Sequence, residues 1–127
     1  MMKNCVMTRT FSCDPSRVWL YMTNPMMNHW RKDVTSADIS TDGMQVTETA
    51  SDGSKTEITF AEKEKPRRMT GSFVHGKVKG NFTVILFGGG DSTSVECTLD
   101  VEGLGLFAKP KKLLEARFDM LGQALGE

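Results

Sequence analysis

The sequence is poor in the residues that usually announce a chemistry. It holds two histidines, three cysteines, two tryptophans and one tyrosine in 127 residues. His29 and His75 are too distant from each other, and too poorly spaced against the cysteines, for a zinc site, so no metal is expected. Cys5, Cys13 and Cys97 form no C-x-x-C pair, and an odd count without a secretory leader fits reduced thiols in the cytoplasm. Charge of one sign is missing too. The 16 Lys and Arg balance 16 Asp and Glu, which argues against electrostatic capture of nucleic acid or anionic lipid. No apolar run approaches the roughly 18 residues of a membrane span. Stretches such as GNFTVILFGGG are broken by glycine, so integral membrane association is not expected either.

What is present describes an ordinary globular chain, 39% hydrophobic and 25% charged, with nine methionines. Residues 1–127 suit one domain, burying about two thirds of its unfolded surface. KNCVMTRTF reads as a first strand. Ser12 or Asp14 can then cap a helix with Pro15 in its first turn and Val18, Trp19 and Met22 on one face. Asn24-Pro25 stops it. Met26, Met27 and Trp30 predict a second short helix ending near Asp33. From Val34 the period becomes two. Hairpin turns at Asp42-Gly43 and Asp52-Gly53, a break at Pro66 and a loop at Gly88-Gly89-Gly90-Asp91 divide six further strands. Their short connections predict an antiparallel meander. The tail from Leu106 is one long helical pattern with Leu114, Phe118, Leu121 and Leu125 in a stripe. Pro110 belongs to its first turn or kinks a longer helix, and Gly126 ends it. The order is one strand, two short helices, about six strands and one long C-terminal helix, an α+β arrangement.

Asp14-Pro15-Ser16-Arg17-Val18-Trp19, then Asn24-Pro25, Trp30-Arg31-Lys32-Asp33-Val34 and Lys65-Pro66-Arg67-Arg68, resemble the structural motifs of the START/Bet v 1-like superfamily. That superfamily is also called SRPBCC or polyketide cyclase-like. The resemblance covers nearly the whole chain and implies a helix-grip fold. In it a curved antiparallel sheet of about seven strands carries two short helices after strand one, with the long C-terminal helix packed across the sheet. It further implies a cavity between sheet and helix for a small apolar ligand of lipid, polyketide or aromatic type. No shared catalytic motif exists to carry over.

Alternation selects the residues that would line such a cavity. On the sheet these are Met44, Val46, Ile58, Phe60, Met69, Phe73, Phe82, Val84 and Leu99; on the helix they are Leu114, Phe118 and Leu121. The same residues could simply fill a core. Three polar residues interrupt the apolar alternation. Glu48 shares the parity of Val46, His75 that of Phe73, and Arg117 follows Leu114 by one turn. His75 could move a proton near neutral pH, and Glu48 or Arg117 could orient a polar ligand end. Each also has a plain alternative: His75 at an exposed hairpin end, Glu48 on a solvated rim, Arg117 pairing with Glu115 or Asp119 on the surface. Cys97 alternates with Val95, Leu99 and Val101 and reads as a small buried residue rather than a nucleophile. Gly76–Gly80 could form a flexible lid. The glycine run precedes a strand rather than a helix, so it is no phosphate cradle, and no cofactor is expected.

The expectation is a cytoplasmic binding or carrier protein, more plausibly not an enzyme, acting as a monomer or homodimer. The rivals are a small cyclase, dehydratase or hydrolase using His75 with Glu48 or Arg117, and a co-chaperone-like interaction module.

Overall fold

The computed structural model describes residues 2–24, 32–105 and 108–126. The first strand is β1 (Met2–Phe11), followed by helix α1 (Pro15–Thr23). Six strands come next: β2 (Val34–Ile39), β3 (Gln45–Ala50), β4 (Lys55–Glu64), β5 (Arg68–His75), β6 (Val78–Gly89) and β7 (Ser92–Glu102). Helix α2 (Pro110–Ala124) closes the order. The second short helix expected around Met26, Met27 and Trp30 lies outside the described residues.

All seven strands form one antiparallel sheet in the order β1-β7-β6-β5-β4-β3-β2. Strands β2 to β7 are the predicted meander. β1 departs from it by pairing with β7, so the chain between β1 and β2 crosses the full width of the sheet. The expected glycine loop is also shorter than its composition suggested. Gly88 and Gly89 continue the ladder against Thr93 and Ser92, leaving only Gly90-Asp91 as the connection. Backbone pairing needs no side chain, so glycine there does not end the strand. Of the segment expected as a lid, Val78 to Gly80 continue the sheet and Gly76-Lys77 form the turn. His75 pairs with Val78 across it, and a Cβ at Gly103 would strike the Lys77 carbonyl.

Local chemistry sets the turns and caps. Asp14 is the N-cap of α1, its carboxylate accepting the Arg17 N–H at 2.9 Å, with Pro15 in the first turn. Asp14→Ala should therefore cost about 1 kcal/mol in thermal or denaturant unfolding. Asp42 closes the β2–β3 turn by accepting from the Met44 N–H at 3.0 Å and the Ser40 hydroxyl at 2.6 Å. In α2, Pro110 occupies the first turn, and the helix closes at Leu125.

The concave face of the sheet holds the core. Phe11, Leu86, Val95 and Leu121 are almost fully buried. Phe118 of α2 meets Phe11 edge-on, with ring centroids 6.2 Å apart. α2 lies along β1 and runs in the same direction: Lys111 acts electrostatically on Cys5, and Arg9 Nη1 bonds Asp119 at 2.8 Å. α1 rests on β6 and β7, where the buried Thr93 hydroxyl donates to the Cys13 carbonyl at 2.7 Å.

Candidate functional site

The twelve apolar residues selected by alternation divide into two groups. Val46, Phe60, Met69, Val84, Leu99, Leu114, Phe118 and Leu121 are buried and pack as core. Met44, Ile58, Phe73 and Phe82 pack against that core yet remain half-buried. Three of these four adjoin on β4, β5 and β6. Ile58 pairs with Phe73, Phe73 with Gly80, and Phe82 with Gly71.

The two glycines shape this surface. A Cβ at Gly71 would meet the Phe82 ring at 2.7 Å and the Thr59 carbonyl oxygen. One at Gly80 would meet the Phe73 ring at 2.9 Å and the Asp100 carbonyl oxygen. Each phenyl ring thus lies over the glycine of the neighbouring strand. The rings lie low on the sheet, forming a half-buried apolar floor. Phe82 is braced by Phe60, edge-on at 5.9 Å.

A polar row borders the floor. Ala37 pairs with Glu48, Glu48 with Thr56, and His75 with Val78, while Thr56 Oγ1 and His75 Nδ1 share a hydrogen bond of 2.8 Å. Glu48, Thr56 and His75 therefore stand side by side on three successive strands. Glu48 and His75 are two strands apart, about 10 Å at ordinary sheet spacing. Glu48 is only 7% exposed, so the solvated-rim reading fails for it. His75 is exposed at the hairpin end, as its alternative reading held. Asp52 lies close by. Its carboxyl is held below the usual range first by the Ser54 hydroxyl and Ser54 N–H, with a smaller contribution from His75.

Arg117 is not in this row. It is half-buried on α2, near enough to Cys97 to favour its thiolate. Of its two expected surface partners, Glu115 and Asp119, the latter bonds Arg9. Leu113 and Met120 share the flank of α2 that carries Arg117, away from the side facing β1, and Leu113 is 58% exposed.

Lys63 was hidden from sequence periodicity. A register shift between Phe60 and Glu62 turns it onto the concave face, where it pairs with Met69. Its ammonium lies 4.2 Å from the centroid of the Phe60 ring and donates to the Gly43 carbonyl at 2.7 Å. Burial pushes its pKa down, opposed by Asp42. Only the bulge produces this placement, and FAEKEK contains no signal for one.

Cys97 is a core residue, 4% exposed. Burial pushes its thiol up to about 11, outweighing the nearby Arg117 guanidinium. In the unfolded chain the thiol would ionise near its ordinary 9.0. Between these values the unfolded state loses its proton first, so stability should fall as pH rises from 9.0 to about 11. Denaturant titrations across that window should show the decline, and Cys97→Ala should flatten it. Among the described residues no group of three or more His, Cys, Asp or Glu could hold a metal ion. No helix among them is long and apolar enough to cross a membrane.

No protein-family model matches the chain, and no curated protein matches its sequence. Solved structures do match. The Mll3558 protein of Rhizobium loti superposes with a TM-score of 0.77 at 20% identity, covering 98% of this chain and 97% of its own. CalU16 of Micromonospora echinospora gives 0.74 at 21% identity, covering 98% and 76%. A START superfamily protein of Mycobacterium smegmatis gives 0.72 at 16% identity, covering 96% and 93%. Together with the seven-stranded antiparallel sheet and the C-terminal helix, these matches identify the fold of this chain as the START-like, or SRPBCC, helix-grip fold.

Proposed function

We propose that the chain binds or carries a small apolar ligand of lipid, polyketide or aromatic type on the floor formed by Ile58, Phe73 and Phe82. One observation carries this reading. These side chains sit mid-strand on the concave, core-bearing face of the sheet, where neighbouring positions are buried, yet they stay half-buried. A pocket of apolar walls with a few placed polar groups is the usual form of a small-molecule site. Here the polar groups are Glu48, Thr56 and His75. We read residues 1–127 as one such domain; the three free thiols favour the cytoplasm.

The test is a fluorescence titration with 1-anilinonaphthalene-8-sulfonate. Wild type should bind one equivalent saturably. Ile58→Glu should weaken binding by about tenfold or more by setting a charge in the apolar floor; because Ile58 also packs against the core, the comparison is made where circular dichroism shows the variant folded. An absence of saturable binding, or equal binding by the variant, would sink the proposal.

A second reading, an enzyme acting on such a ligand, draws on the Thr56–His75 hydrogen bond beside buried Glu48. A histidine whose Nδ1 is engaged presents Nε2 for proton transfer.

A further inference from the structure

We propose that two copies of this chain join through β1, edge to edge and antiparallel, into one continuous sheet. The two edges of the sheet are built differently. β2 has six residues, and its register is broken between Val34 and Ser36, which leaves a short and irregular row of backbone groups. Such interruptions are a usual defence against strand addition. β1 has ten residues, contains no proline and pairs with β7 without a shift, and among the described residues no strand lies on its other side. A long, regular edge is a template for another strand.

The side chains of β1 suit a second copy of itself. On the convex face, Met2, Asn4, Val6, Thr8 and Thr10 are all uncharged, and Val6 is 56% exposed. Beside the strand runs a groove of about 440 Å³, walled by β1 from Val6 to Arg9 and by Lys111, Glu115 and Asp119 of α2.

Charge selects the register. Lys111 lies near Cys5 and Asp119 is bonded to Arg9, so Glu115, midway between them, stands level with Met7. A two-fold axis at Val6 sets Cys5 opposite the second copy's Met7. Lys111 then faces the second copy's Glu115, and Glu115 faces its Lys111, giving two reciprocal ion pairs. An axis at Cys5 would oppose lysine to lysine, and one at Met7 glutamate to glutamate. With the axis at Val6, Lys3 does fall opposite the second copy's Arg9. Both charged heads are already held within their own chain, Lys3 by the Gly105 and Ala108 carbonyls and Arg9 by Asp119. The two Val6 side chains cover each other at the axis.

Sedimentation velocity over a concentration series reads this directly. Wild type should form a species of twice 14.1 kDa. Lys111→Glu and Glu115→Lys each turn both pairs repulsive and should each weaken association by roughly tenfold or more. The double variant K111E/E115K should restore it. Both positions are exposed, so the variants should fold, which circular dichroism checks. A wild-type chain that stays monomeric throughout overturns the proposal, whether or not β1 accepts a strand from some other protein. A dimer indifferent to the single reversals, or not rescued by the double, also overturns it.

Discussion

Replacing Phe118 by alanine should remove about 3–5 kcal/mol of stability, the range for losing a packed aromatic side chain. The ring is 2% exposed and stands edge-on to Phe11, which is itself 1% exposed. Phe118 shares the inner stripe of α2 with Leu114 and Leu121, and α2 is the element covering β1. Truncation leaves a cavity that the antiparallel ladder beneath cannot collapse to fill. Denaturant unfolding should show a lower midpoint with an unchanged slope, since the surface exposed on unfolding hardly changes. A loss under about 2 kcal/mol would mean that the ring borders a void already present.

Gly80→Ala should have the second largest effect, reaching both stability and binding. The added methyl meets the Asp100 carbonyl oxygen and comes within 2.9 Å of the Phe73 ring. The oxygen belongs to the β6–β7 ladder, where Gly80 faces Val101 and Asn81 faces Asp100, so it cannot swing aside. Phe73 must leave its glycine and rise into the space above the floor. Overpacking of this kind costs about 1–3 kcal/mol or more. Probe binding should fall with it, because the displaced ring occupies the ligand's place. Gly71→Ala makes the same test on Phe82. Wild-type stability and binding in both variants would mean that the rings do not depend on the glycines beneath them.

These glycines act through contacts that no local pattern in the sequence encodes. Alternation set Phe73 and Phe82 on the right face, and it set Glu48 beside Val46. The 3.6-residue period found α2, and Asp14 with Pro15 marked the start of α1. Each of those signals is local, and between Ser12 and Asp14 as the cap of α1 the structure selects Asp14. The role of Gly71 and Gly80 appears only when the register across β5 and β6 brings each glycine under a ring from the next strand. Nothing local specified that β1 would pair with β7, a contact between the two ends of the chain. The bulge after Phe60 reversed the parity of everything that followed in β4, which carried Lys63 inward. Helical spacing placed Arg117 beside the apolar stripe but could not foresee that Arg9 would take Asp119. The fold was therefore legible element by element, whereas the site depended on cross-strand register.

A methyl-resolved heteronuclear NMR titration with 1-anilinonaphthalene-8-sulfonate tests directly whether the ligand sits on the floor of Ile58, Phe73 and Phe82. Large, saturable shifts are expected for the Ile58 methyls, with line changes for the Phe73 and Phe82 rings. Val95, 0% exposed within β7 in the packed part of the sheet, should stay nearly still. Shifts centred on Val95 or on the exposed Leu113 tip, with Ile58 unmoved, would contradict that placement.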